Sequence, residues 1–117
     1  MLFNRVDKVH LFTMPVDMRK SIDGLSYLLC DLGEHDFQDG SVTIFYNRSR
    51  DKVKLLYWDK NGFVLVYKRL ERGRFKMKPD KNSKTVMLDA KQLSWLLAGL
   101  EYELMKQFES LDFSEYF

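Results

Sequence analysis

The sequence predicts an α+β domain, an antiparallel sheet of about four strands with two amphipathic helices on one face and the other face left partly basic. Three observations lead there. Apolar residues recur at helical spacing in two stretches, Met18 to Leu32 and Leu93 to Leu104. Between them lie short β-branched and aromatic runs separated by turn signals. The 117 residues, 45% of them apolar, leave room for about one core, so a single domain over 1–117 is expected, with 108–117 as a loosely docked tail.

The elements follow in order. Residues 9–13 (VHLFT) alternate as a short strand. Pro15 and Asp17 then announce a helix with Asp17 as its N-cap, its buried face formed by Met18, Ile22, Leu25, Leu29 and Leu32. Gly33 is placed to end it as a left-handed cap. After an acidic loop, 42–46 reads as a strand, and the polar turn NRSRD separates it from a second at 52–58. The turn Asp59-Lys60-Asn61-Gly62 carries an Asn-Gly pair that favours a type I′ hairpin into a third strand at 63–70. The stretch 71–84, with Gly73, Pro79 and six basic residues, reads as a frayed strand extension or a mobile basic loop. Residues 85–88 add a short strand, after which Asp89 and Gln92 form a capping box for a helix buried through Leu93, Leu96, Leu97, Leu100 and Leu104.

Composition excludes several classes. An aromatic share of 15% is too high for a disordered chain, and no apolar run approaches the roughly 20 residues of a membrane span. MLFNRVDKVH carries charges where a signal peptide needs an apolar stretch, so a cytoplasmic protein is expected. One cysteine and two histidines assemble neither a disulfide framework nor a zinc cluster. Cys30 reads as a small buried side chain and His10 as a structural one. No glycine-rich phosphate loop or nucleophile elbow is present, and the acidic residues read as caps, turns and tail. No metal, cofactor or catalytic residue is therefore expected, and the chain is read as not an enzyme.

Charge is distributed by position. The net charge is −3 over residues 1–46, +9 over 47–84 and −4 over 85–117. In the central segment Lys52, Lys54, Leu56 and Trp58 share one strand face, and Arg72, Arg74, Lys76 and Lys78 recur at every second residue. Such a ladder can line phosphates while Trp58 or Tyr67, if exposed, stacks on bases of a single strand or a distorted end; the alternative is that both aromatics fill the core. Nucleic-acid contacts are accordingly assigned to Arg48, Arg50, Lys52, Lys54, Trp58, Lys68, Arg69, Arg72, Arg74, Lys76 and Lys78, with Arg19 and Lys20 as additional ones. On the last helix Trp95, Gly99 and Tyr102 lie about 160° from the leucine face by the 100° advance per residue, so they are either covered by the tail or a docking surface for another protein.

Four motifs carry a family resemblance: PVDMRKSIDGL at 15–25, YWDKNGF at 57–63, YKRLERGRF at 67–75 and LSWLLAGL at 93–100. Over roughly residues 9–103 the chain resembles the TnpB-type accessory proteins encoded by the second reading frame of bacterial insertion sequences of the sixty-sixth (IS66) family. These are distinct from the RNA-guided nucleases that share that name. The resemblance implies a bacterial transposition factor made alongside a separate transposase that carries the acidic catalytic residues. Two departures are an aromatic replaced by the Lys76-Met77-Lys78 run and an acidic residue replaced by Ala98. Within this frame the leading expectation is low-specificity binding of insertion-sequence ends; the alternative is an adaptor that docks on the transposase through Trp95, Gly99 and Tyr102 and touches no DNA.

Overall fold

A computed structural model describes residues 8–31, 40–77 and 82–99. Strand β1 (Lys8–Phe12) leads into helix α1 (Ile22–Asp31) and then β2 (Ser41–Tyr46), β3 (Lys52–Asp59), β4 (Gly62–Arg69), β5 (Thr85–Leu88) and helix α2 (Ala90–Leu97). The sheet has five strands in the order β4-β3-β2-β1-β5. It is mixed, not antiparallel: β1 and β2 run parallel, while β2–β3, β3–β4 and β1–β5 are antiparallel. The parallel pair follows from the connection, since α1 carries the chain from the end of β1 back to the start of β2.

Strand alternation divides the core in two. Val9, Leu11, Val42, Ile44, Val53 and Leu55 point to one face and pack with Leu93, Trp95 and Leu96 of α2. Phe45 and Leu56, one position out of phase, point to the other and pack with Leu25 and Leu29 of α1. The helices therefore lie on opposite faces, correcting the expectation that both share one. Neither sheet face is left bare along its length.

Local chemistry explains most boundaries. The β3–β4 hairpin pairs Asp59 with Gly62, so its two-residue loop is Lys60-Asn61, with Lys60 at φ +53. The turn spans the expected Asp59 to Gly62, with Lys60-Asn61 as its central pair. Asp89 caps α2 as anticipated: its side chain accepts from Gln92 N at 2.7 Å, and the Gln92 side chain accepts from Asp89 N at 3.0 Å. Helix α1 begins at Ile22, four residues later than expected from Asp17. Cys30 is exposed, not buried. The expectations for Gly33, Lys78, Tyr102 and the 108–117 tail lie outside the described residues. Among the described residues no helix is long and apolar enough to cross a membrane.

Candidate nucleic-acid interface

Three segments converge at one end of the sheet, where β2 ends and β3 begins. The first is the loop from Thr13 to Ser21. Val16 N donates to the Tyr46 carbonyl at 2.8 Å and the buried Tyr46 hydroxyl donates to the Thr13 carbonyl, laying this loop across the end of β2. Asp17 does not cap α1. Its carboxylate accepts Arg19 N at 2.9 Å and the Arg19 guanidinium Nε and Nη2 at 2.9 and 2.6 Å, closing a local turn. Those bonds from Arg19, side chain first and backbone second, hold the Asp17 pKa down to about 2.

Lys54 explains the late helix start. The carbonyls of Met18 and Lys20 would accept α-helical bonds if α1 began at Asp17, but both accept instead from Lys54 Nζ, at 2.8 and 2.7 Å. Lys54 is only 8% exposed. Its ammonium also lies 5.5 Å from the centre of the Tyr67 ring, its cross-strand neighbour. The phosphate contact expected of Lys54 is thus replaced by a structural role: a buried ammonium needs acceptors, and the loop carbonyls supply them.

The second segment is the turn at 47–51. Asn47 Oδ1 accepts from Asp51 N and Lys52 N at 3.1 Å each, and Asn47 Nδ2 donates to Asp51 Oδ1 at 2.6 Å. That bond from Asn47, with help from Lys52, lowers the Asp51 pKa. The turn passes through Arg50 at φ +59 and leaves Arg48 and Ser49 exposed. The third segment, 70–77, is neither frayed nor a strand. Leu70 N donates to the Asp51 carbonyl, Phe75 N to the Arg50 carbonyl, and Arg50 Nη1 to the Met77 carbonyl at 3.1 Å. Phe75 and Met77 are buried, while Arg72, Arg74 and Lys76 project outward.

Between the first two segments runs an open groove of about 560 Å³, lined by Pro15, Val16, Asp17, Met18, Arg19, Asn47, Arg48, Ser49, Lys52 and Tyr67. Its lining joins the apolar Pro15, Val16 and Met18 to the cationic Arg19, Arg48 and Lys52. Asp17 is the carboxylate in it, and Arg19 neutralises that charge. Lys52 meets Asp51 at 3.3 Å in a half-exposed pair, a geometry that a stronger anion can displace.

The expected contact residues thus divide. Arg48, Lys52, Arg72, Arg74 and Lys76 are available at this end, and Arg48, Arg72, Arg74 and Lys76 make no hydrogen bond or ion pair with another described residue. Arg69 is exposed but paired with Glu71 at 3.0 Å. Arg50 is committed to Met77, and Lys68 Nζ caps α2 through the Leu97 carbonyl at 2.7 Å. Trp58 packs edge-on against Phe63 at 5.1 Å and donates Nε1 to the Lys60 carbonyl. Trp95 is 7% exposed and packs into the α2-side core, so of the two readings of its stripe the docking surface does not hold for Trp95. Gly99 adopts φ +83 and donates to the Leu96 carbonyl, closing the helix.

Sequence reasoning missed the groove's apolar lining by Pro15, Val16 and Met18 and the turn-building role of Asn47. The signal for the lining was the run 15–20, which places a proline and three charges between a strand and a helical pattern; Pro15 and Met18 were assigned to a helix that begins only at Ile22. Among the described residues no three His, Cys, Asp or Glu side chains are grouped to hold a metal ion.

Comparisons with known proteins converge on one family. The model described as IS66 Orf2 like protein matches residues 7–107. An uncharacterized protein, y4jC, of Sinorhizobium fredii is 30% identical over 100 residues, which is 86% of this chain and 85% of the relative. A second from the same organism, y4hO, also uncharacterized, is 30% identical over 95 residues, covering 81% and 82% of the two chains. No solved structure matches significantly.

Proposed function

The chain belongs to the IS66 Orf2-like family, and from that premise we propose that it serves transposition by binding insertion-sequence DNA through the cationic end of its sheet. As a family member it is an insertion-sequence-associated accessory protein. The observation that carries the DNA reading is the convergence of the 13–21, 47–51 and 70–77 segments. They bring Arg19, Arg48, Lys52, Arg72, Arg74 and Lys76 to one end of the sheet, four of them without a partner among the described residues. Exposed guanidinium and ammonium groups suit phosphate, which each neutralises with release of a condensed counterion. Such contacts position a protein on DNA without reading its sequence. In this reading the protein has no catalytic step of its own, acts in the cytoplasm, and leaves strand cleavage and joining to a separate transposase.

The test is a salt series with blunt duplex DNA. Log affinity should fall linearly with log salt at a slope near −0.9 per neutralised phosphate, about −5 for six contacts. Changing Arg48, Lys52, Arg72 and Arg74 together to Gln should flatten that slope by about 3 to 4 and weaken every duplex alike. Wild-type protein with no salt-sensitive binding to duplex or single-stranded DNA at low ionic strength would leave the adaptor reading in its place, and that reading now lacks Trp95 as a surface residue.

A further inference from the structure

We infer that the groove beside Tyr67 takes an unpaired nucleotide, its base stacked on the Tyr67 ring and its phosphates held by Arg48 and Lys52. The inference rests on the DNA-binding reading and adds the kind of strand the site selects. Tyr67, on the edge strand β4, is 51% exposed, and it forms one wall of the groove. Its orientation is set from outside the groove. Lys54 does not line the groove, yet its ammonium sits 5.5 Å from the ring centre and is itself fixed by two loop carbonyls. A ring held this way loses little freedom when a base stacks on it, and the nearby cation adds to its rigidity.

The rest of the groove matches a nucleotide in parts. Pro15, Val16 and Met18 supply apolar surface of the kind a base face covers, while Arg48 and Lys52 supply charge. The volume of about 560 Å³ falls in the ~300–1,000 Å³ range of small-ligand sites. In a continuous duplex both faces of every base are covered by its neighbours, so Tyr67 has nothing to stack on until a base is freed. A single strand, an overhang or a distorted end offers such a base. Trp58 cannot substitute, because Phe63 and the Lys60 carbonyl already engage it.

Fluorescence anisotropy with labelled dT12 and a blunt 12-base-pair duplex, using the full chain, separates the possibilities. Tyr67→Ala should lower affinity for dT12 about 5-fold to 100-fold, the range for loss of one stacked base, and change duplex affinity less than about twofold. Tyr67→Phe should retain both affinities. If Tyr67→Ala does not fold by circular dichroism, Tyr67→Leu replaces it. Photocrosslinking of 5-iododeoxyuridine placed in the same oligonucleotide should attach to the peptide containing Tyr67. Unchanged dT12 binding in the Ala or Leu variant, equal losses for strand and duplex, or crosslinks confined to other peptides would overturn the stacking site while leaving duplex binding intact. Absence of binding to both probes by wild-type protein would overturn it together with the DNA reading.

Discussion

The two faces of the sheet are built from the same alternation and end differently. On the α2 face the apolar cover is continuous, joining the strands to Phe75, Met77, Leu88 and the helix. On the α1 face the helix covers Phe12, Phe45 and Leu56, and beyond it the cover becomes a loop, 13–21, with an open groove beneath. A helix satisfies its own backbone, so the strand residues under it need only be apolar. A loop leaves carbonyls over, and the strand beneath must donate to them. Lys54 meets that demand, and this is why a cation on a strand is not evidence of a surface.

Neighbouring residues of β3 test the contrast most severely. Leu55 points to the continuous face and Leu56 to the smaller one. Leu55→Ala should cost near the top of the ~2–5 kcal/mol range for core truncations and Leu56→Ala near the bottom, because the smaller cluster lies beside an open groove and can relax. Urea denaturation measures both, and equal costs would show the two faces to be packed alike. Next in size, Lys54→Met should cost about 2 kcal/mol by leaving the Met18 and Lys20 carbonyls short of a charged donor. Lys52→Met, two residues away and half-exposed, should move stability by less than about 0.5 kcal/mol yet weaken DNA binding. A Lys54 variant that melts with wild-type protein would remove the structural role.

These pairs also show what the sequence could reveal. The hairpins of β2, β3 and β4, the 85–88 strand and the Asp89 box were legible, since each depends on residues within a few positions of one another. The parallel β1–β2 pair was not taken, although a strand, a helix and a strand in succession signal it, because the later hairpins drew the whole sheet toward an antiparallel reading. The β1–β5 pairing joins residues more than 70 positions apart and has no local signature. Of the site, the cations of 48, 52 and 72–76 were found by charge alone. Charge could not separate them from Arg50, Lys54 and Lys68, whose acceptors are carbonyls far along the chain.

Two aspartates written as helix starts sharpen the comparison at smaller cost. Asp89 caps the helix of the continuous face, so Asp89→Ala should cost about 1 kcal/mol and lower the melting temperature by several degrees. Asp17 precedes the helix of the grooved face without capping it, so Asp17→Ala should leave the helical circular dichroism signal unchanged. Equal loss of helix in the two variants would return Asp17 to a capping role.

The smallest effect expected is the acid titration of Asp17 itself. Arg19 holds its folded pKa at about 2, below the ordinary value of 3.8. A lowered folded pKa adds stability that is fully present above 3.8 and is lost as pH falls from about 4 toward 2. The carboxylate is exposed and screened, so the gain is slight and nothing should change between pH 5 and 8. The carboxyl carbon of Asp17, followed by NMR, should titrate with a midpoint near 2, and the midpoint should rise toward the ordinary value in Arg19→Gln. A wild-type midpoint near 4 would mean that Arg19 does not hold Asp17 in solution. The groove would then carry an uncompensated negative charge at neutral pH, and Asp17→Asn would strengthen DNA binding markedly.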